Sequence, residues 1–125
     1  TAAGAKRAVR LAVSIGAHSP LMQPAQERLN RALAASGLSD PQLPIVGNVG
    51  AALLTTADAV RQDLQAQLTS RVRWTESIQA MRAAGNTTFI ELGPGTVLCG
   101  LIRRVDRTAV TFAVDSIESL EPLAA

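Results

Sequence analysis

Short apolar runs alternate with capped, amphipathic helices along this chain, and this alternation restricts the possible folds more than any other feature. Runs rich in branched residues predict strands over residues 8–15, 45–49, 87–92 and 108–113. Helical spacing of apolar residues predicts helices over about 20–35, 57–68, 74–84 and 97–105, and a short last helix over 116–123. Strands that alternate with helices favour an α/β architecture with parallel strand pairing.

The composition excludes several classes of protein. The chain has 125 residues, 47% of them hydrophobic and 2% aromatic, which suits one domain with a real core. A net charge of +2 with so few aromatic residues argues against a nucleic-acid partner. No apolar run approaches the roughly 20 residues of a membrane span, so we expect no membrane partner. The single Cys99 cannot form an internal disulfide, which favours a reducing compartment, and we expect the cytoplasm.

The only histidine, His18, stands at a corner between the first predicted strand and the first predicted helix. Ser19 and Pro20 follow it as an N-cap and a proline at the first helical position. An imidazole on a loop held by rigid elements can serve as an acid or a base near neutral pH. The alternative is a half-buried loop histidine bonded to the backbone. A base needs a nucleophile to serve, and the sequence contains no convincing one.

Three other places could carry function. Asn48 ends a short apolar strand, where open sheets place ligands, although a turn residue is an equal alternative. Gln67 lies near a helix end, so its carbonyl could accept the second N–H of His18, or it could be a solvated helix residue. The glycine-rich turn 91–95 could hold an anion, but it lacks the spacing of a nucleotide loop, which favours a tight turn. The sequence offers no acidic or histidine cluster for a metal.

Four segments resemble, in the same order, malonyl-CoA:acyl carrier protein transacylases and the acyltransferase domains of polyketide synthases. They are residues 13–22 around the histidine, 44–49, 65–68 with 72–74, and 89–98 with its Glu-x-Gly-Pro-Gly signature. The resemblance covers the chain from residue 6 to about 114. One such motif would be weak evidence, whereas four in order are strong.

The resemblance implies an α/β-hydrolase-like large subdomain with a ferredoxin-like small subdomain inserted in it. Residues 1–16 would be the last strand of the small subdomain, and 17–125 the C-terminal part of the large one. In the family, the nucleophilic serine and the arginine that holds the malonyl carboxylate lie upstream. The chain is therefore expected to be the C-terminal part of such an enzyme and inactive by itself.

The implied reaction is transfer of a malonyl group from malonyl-CoA to the phosphopantetheine thiol of acyl carrier protein in fatty acid synthesis. It would follow a ping-pong serine–histidine mechanism without a cofactor. His18 matches the catalytic histidine, and Gln67 matches the position whose backbone carbonyl orients it. Asn48 and Ala17 are the candidate substrate-binding residues. The expected partners are malonyl-CoA, acyl carrier protein and the N-terminal part of the same enzyme.

One departure from the family leaves alternatives open. The family often has an aromatic residue before the histidine, associated with malonyl preference, whereas Ala17 could leave room for an α-substituted malonyl group. One alternative is therefore a polyketide-synthase acyltransferase domain that uses malonyl or methylmalonyl units. Another is a non-catalytic module that binds acidic acyl carrier protein through basic side chains at 71, 73, 103 and 104.

Overall fold

The computed structural model describes residues 2–10 and 12–123, and its elements confirm the α/β alternation. The helices are α1 (Gln23–Ala35), α2 (Ala57–Ala66), α3 (Trp74–Ala83) and α4 (Val97–Val105). The strands are β1 (Ile45–Val46), β2 (Leu53–Leu54), β3 (Thr88–Leu92) and β4 (Val110–Val114). Short 3₁₀ turns cover Pro20–Met22 and Glu118–Leu123. Within the described ranges, no helix has both the length and the apolar character needed to cross a bilayer.

A β3–α4–β4 unit contains the best packed part of the molecule. The two strands pair in parallel, with Thr88 opposite Val110 and Leu92 opposite Val114, as the sequence predicted. Alternation along β3 buries Phe89 and Glu91 and leaves the other three residues of the strand exposed. The core is formed by residues from α3, β3, α4 and the position just before β4, namely Ile78, Phe89, Ile102 and Ala109.

A small hairpin replaces the single buried strand predicted over 45–49. β1 pairs antiparallel with β2, which the sequence analysis missed, and Ile45 lies opposite Leu54. The chain turns back where the Gly47 N–H donates to the Ala52 carbonyl at 2.9 Å. A Cβ on Gly47 would lie 2.5 Å from the Asp63 Oδ1 atom, so any other residue here would displace the Asp63 carboxylate.

The first predicted strand is absent from the described residues. Residues 8–10 and 12–15 have no regular secondary structure, and Leu11 lies outside the described residues. A strand requires a neighbour to accept and donate its backbone hydrogen bonds, and the described part of the chain provides none for this segment. The prediction of a strand at 8–15 is therefore wrong for this structure, while the placement of residues 1–16 in a small subdomain stays a prediction.

Side-chain caps begin the 3₁₀ turn that precedes α1 and the helix α2. The Ser19 hydroxyl accepts from the Leu21 N–H at 3.3 Å, so a 3₁₀ turn leads into α1. Thr56 caps α2 in the same way, accepting from the Ala59 N–H at 3.2 Å. An Arg61 guanidinium N–H donates to the Leu33 carbonyl and ties α2 to the end of α1. These caps confirm the helix starts that the sequence predicts.

Candidate active site

His18 sits on a constrained corner. Its φ of 58° lies in the left-handed region, which residues other than glycine seldom adopt. Ser19 fixes the corner on both sides, because its hydroxyl donates to the Gly16 carbonyl at 2.7 Å and accepts from Leu21. Backbone conformations of this kind persist where the surroundings impose them, and they cluster at functional sites.

The imidazole of His18 has one nitrogen engaged and the other available. Nδ1 lies 3.0 Å from the backbone carbonyl oxygen of Gln67, and the side chain is otherwise exposed. Because a carbonyl oxygen only accepts, this contact requires the hydrogen on Nδ1 when the ring is neutral. Nε2 then presents its lone pair, which is the arrangement that a general base needs.

The Gln67 carbonyl is available because α2 ends there. The last carbonyls of a helix lack an intrahelical partner, and their partial negative charge favours a cationic group nearby. The chain turns sharply after α2, with the N–H groups of Thr69 and Ser70 both donating to the Ala66 carbonyl. The half-buried Gln67 therefore points its carbonyl away from its own helix, toward the histidine corner.

Asn48 and Gln67 meet at one cleft. The cleft has a volume of about 460 Å³ and is lined by apolar side chains of the hairpin and α2 together with Asn48, Asp63 and Gln67. Asn48 is exposed, and its carbonyl accepts from the Arg73 N–H at 2.9 Å. Ala17, the other candidate substrate-binding residue, is exposed beside His18. The structure thus brings His18 to Gln67, and Asn48 to the cleft that Gln67 lines.

Asp63 is a residue that the sequence analysis missed. Its Oδ1 atom accepts from the Val49 N–H at 3.2 Å and lies directly over Gly47. The carboxylate therefore holds the turn that carries Asn48. The available signal was weak, because an acidic residue between two apolar positions of a helix, Val60 and Leu64, is usually solvated.

The turn from β3 into α4 is structural, as the sequence favoured. Gly93 and Gly95 both adopt positive φ, at 124° and 93°. Glu91 reaches across the turn and accepts from the backbone N–H groups of Leu98 at 3.0 Å and Cys99 at 2.8 Å. The Cys99 N–H, with Leu98 contributing, lowers the pKa of the Glu91 carboxyl below its ordinary value. The anion position at this helix start is thus filled by the protein's own carboxylate.

Three arginine side chains that could have bound an acidic partner contact polar groups of the chain itself. Arg73 contacts the Glu76 carboxylate at 3.2 Å, and Arg71 approaches the same carboxylate at 3.7 Å. Arg103 donates to the Thr111 hydroxyl at 2.9 Å. Among the residues that the structure describes, no three His, Cys, Asp or Glu side chains come together as metal ligands.

Comparison with known proteins finds transacylases of similar sequence. No family model matches the sequence. A malonyl CoA-acyl carrier protein transacylase of Bacillus subtilis is 46% identical over 118 residues, which is 94% of this chain. The chain is homologous to part of the malonyl CoA-acyl carrier protein transacylases. It spans 37% of the length of that Bacillus transacylase, somewhat more than a third.

Solved transacylases show the same arrangement of the backbone. An acyl carrier protein S-malonyltransferase from Vibrio cholerae superposes with a TM-score of 0.91 at 41% identity, covering 98% of this chain and 40% of that one. A malonyl-transacylase solved in complex with its type II PKS acyl-carrier protein gives 0.88 at 42% identity, covering 95% of this chain and 38% of that one. The homology to transacylases thus extends to the fold of nearly the whole chain.

Proposed function

We propose that this chain supplies the general base of a malonyl-CoA:acyl carrier protein transacylase acting in fatty acid synthesis in the cytoplasm. The observation that carries the proposal is the contact from His18 Nδ1 to the Gln67 carbonyl at 3.0 Å. It holds the imidazole in one tautomer and leaves Nε2 free for proton transfer. The choice of malonyl as the acyl group and of acyl carrier protein as the acceptor rests on homology to proteins named as malonyl transacylases.

The first half-reaction loads the enzyme. A serine hydroxyl on the N-terminal part of the enzyme attacks the thioester carbonyl of malonyl-CoA while His18 Nε2 accepts its proton. The tetrahedral intermediate collapses, the C–S bond breaks, and the imidazolium returns the proton to the departing CoA thiolate. The products are free CoA and a malonyl-serine ester, with His18 neutral again.

The second half-reaction unloads the enzyme by the same steps in reverse. The phosphopantetheine thiol of acyl carrier protein gives its proton to His18 Nε2 and attacks the ester carbonyl. The C–O bond to serine breaks, and the imidazolium protonates the serine oxygen. One thioester is consumed and one is formed, so the transfer is nearly balanced in free energy and needs no cofactor.

Exposed apolar surface supports the proposal that another segment of the enzyme, which carries the serine, packs against this chain. The chain contains no Gly-x-Ser-x-Gly sequence, the elbow that bears the serine in this family. Ile90, Leu92 and Val110 are 48%, 78% and 48% exposed on one face of the β3–β4 sheet. A groove of about 490 Å³ also opens between the hairpin and β3. Exposed patches of this kind mark contact surfaces, and the N-terminal part of the enzyme is the partner that we propose.

Ala17 supports a finer proposal about the acyl group. Its methyl side chain is exposed next to His18, where a larger aromatic side chain would narrow the site. We expect the complete enzyme to accept methylmalonyl-CoA as well as malonyl-CoA. Competition between the two thioesters tests this. Ala17→Phe should lower methylmalonyl transfer, and strict selectivity of the native protein for malonyl-CoA would refute the proposal.

A polyketide carrier is the second candidate acceptor, because a matched structure contains a type II PKS acyl-carrier protein. Transfer rates to a fatty-acid carrier protein and to a polyketide carrier protein distinguish the two. The non-catalytic module is less favoured, because it gives no role to the contact between His18 Nδ1 and the Gln67 carbonyl.

A chimeric enzyme tests the proposed function. The 118 matched residues of the Bacillus subtilis transacylase would be replaced by this chain, and malonyl transfer to acyl carrier protein would be followed by mass spectrometry. We expect an active chimera in which His18→Ala lowers the rate about 10²- to 10⁴-fold. A matched Gln23→Ala variant, changed on the exposed part of α1, should keep its rate. A His18→Ala chimera as active as the parent would overturn the proposal.

A further inference from the structure

One buried amide side chain lies on the apolar face of α1. Gln26 is 2% exposed and falls between Met22 and Leu29 on the face that packs against α2. In the sequence, Gln26 is a polar residue on an otherwise apolar stripe of the helix. Because an unpaired buried amide is costly, such a residue is expected to have specific partners.

Gln26 uses its hydrogen-bonding capacity on specific partners. Its Nε2 donates to the Asn30 Oδ1 atom at 2.8 Å and to the Leu64 carbonyl at 3.1 Å. Its Oε1 accepts from the Leu68 backbone N–H at 2.8 Å. Both N–H groups and the carbonyl oxygen of the amide are therefore engaged.

The two backbone partners of Gln26 flank the residue that contacts the histidine. Leu64 lies three residues before Gln67, and Leu68 directly follows it. The Gln26 amide is thus hydrogen-bonded to the end of α2 on both sides of the Gln67 carbonyl, which lies 3.0 Å from His18 Nδ1. Gln26 belongs to α1, the helix that follows the histidine corner. Its side chain therefore connects the segment that carries His18 to the end of α2 that carries Gln67.

We propose that Gln26 is a positioning residue that sets the distance and direction of the Gln67 carbonyl, and through it the tautomer of His18. Its consequence for catalysis rests on the proposed function, whereas its effect on His18 belongs to this chain alone. Without the amide, the Leu68 N–H would lose its partner, the Leu64 carbonyl would keep only the Gln67 N–H, and the turn after α2 would relax. The imidazole would then return toward the Nε2–H tautomer that free histidine prefers.

A purely structural role for Gln26 makes a different prediction. The amide would then stabilise the packing of α1 on α2 without setting the orientation of the ring. Substitution would lower the free energy of unfolding and leave the His18 tautomer unchanged. The tautomer therefore separates the two roles, which a stability measurement alone does not.

Nitrogen-15 NMR of the imidazole in the full chain tests the proposal, because His18 is the only histidine and its signals are unambiguous. The unmodified chain at mildly basic pH should show the Nδ1–H tautomer as the predominant form. Gln26→Met, similar in shape but without the amide, should make it the minor form. Gln23→Met, which removes an exposed amide one turn away on the same helix, is the matched control and should retain it.

A folded Gln26→Met chain with an unchanged tautomer would overturn the proposal, and so would an equal change in the Gln23→Met control. If Gln26→Met fails to fold, Gln26→Glu replaces it, since a carboxylate still accepts from Leu68 but cannot donate to Leu64. That variant should keep the Leu68 amide slow to exchange and lose the tautomer preference. Rapid exchange of the Leu68 amide in the unmodified chain would by itself contradict the contact.

These outcomes are independent of the transferase reaction. A shifted tautomer together with an active His18→Ala chimera would refute the proposed function and preserve the positioning role. An unchanged tautomer together with an inactive His18→Ala chimera would do the reverse. In the active chimera, a positioning role predicts a Gln26→Met loss mainly in kcat, with KM for malonyl-CoA little changed.

Discussion

Two titratable side chains in this molecule meet helix ends, and they do so in opposite ways. His18 approaches the C-terminal end of α2 with one nitrogen bonded and the other exposed. Glu91 approaches the N-terminal end of α4 with both carboxylate oxygens bonded to N–H groups, and it is 8% exposed. A helix end satisfies a polar group in both cases, but only the histidine keeps a free lone pair. The difference separates a group that can react from one that holds a turn.

The regions around the two side chains also differ in how firmly they are packed. The β3–α4–β4 unit around Glu91 is fastened to α3 by the buried cluster that includes Ile78 and Ile102. An ion pair between Arg82 and Asp106 adds a second tie, and Thr108, with Arg82, lowers the pKa of the Asp106 carboxyl. The histidine corner instead depends on a few hydrogen bonds to Ser19 and Gln67. Stability should therefore depend on the first region and activity on the second.

The core substitution Ile78→Ala should have the largest effect on stability. Ile78 is 1% exposed at the centre of the cluster, so its truncation should lower the free energy of unfolding by about 2–5 kcal/mol. Urea unfolding followed by circular dichroism measures this value. Leu92→Ala, on the exposed sheet face, is the matched control and should change it little. A loss below about 1 kcal/mol for Ile78→Ala would contradict the packing described.

The substitution Gly47→Ala should have the second largest effect on stability. The added methyl would meet the Asp63 carboxylate at 2.5 Å and a Leu54 methyl group at 2.9 Å, which predicts a loss of about 1–3 kcal/mol in unfolding free energy. Gly100→Ala is the control, because it has open space within helix α4 and should be neutral or stabilising. Equal stability of the two variants would show that the hairpin turn is not tightly held by Asp63.

Glu91→Gln should have a smaller, pH-dependent effect. The folded pKa of Glu91 lies below its ordinary value of 4.5, so the ionised carboxylate contributes stability above that pH. The contribution disappears as the pH falls through the folded pKa. The difference in unfolding free energy between wild type and Glu91→Gln should therefore be present at pH 7 and shrink below about pH 4.5. Urea unfolding of both proteins at a series of pH values across this range measures the difference, and a difference that stays constant with pH would contradict the role of the Glu91 carboxylate.

His18→Ala should have the smallest effect on stability and the largest on function. The side chain is exposed and makes one hydrogen bond, so we expect less than about 1 kcal/mol of change in unfolding free energy. Thermal unfolding of the isolated chain measures this. A change as large as that of Ile78→Ala would mean that the imidazole is a structural group and would remove the contrast between the two regions.

Local sequence signals predicted much of the fold. Ser19 before Pro20 predicted the start of the first helix, and the turn around Gly93 and Gly95 predicted the start of α4. The sequence could not reveal β2, because two leucines pair as a strand only once Gly47 turns the chain back beside them. The prediction of a strand over 8–15 was wrong for the opposite reason. The residue pattern suits a strand, but no described strand lies beside this segment to pair with it.

Only part of the candidate site could be predicted from the sequence. His18 stood out as the only histidine and Gln67 as a residue near a helix end, and the resemblance to known transacylases then favoured their pairing. No local rule connects the two residues, since they lie 49 positions apart. Gln26 was missed because its three partners come together only when α1 packs on α2. Asp63 was missed because its role depends on the close approach of Gly47. Long-range backbone contacts of this kind leave little trace in the spacing of residues along the chain.

The tautomer of His18 in the unmodified chain tests the central claim most directly. Two-bond proton–nitrogen correlation of the single imidazole, recorded where the ring is neutral, shows which nitrogen carries the hydrogen. The Nδ1 contact with the Gln67 carbonyl predicts a predominant Nδ1–H form with a free Nε2 lone pair. A predominant Nε2–H form would contradict it, because His18 could not then accept a proton from serine through Nε2.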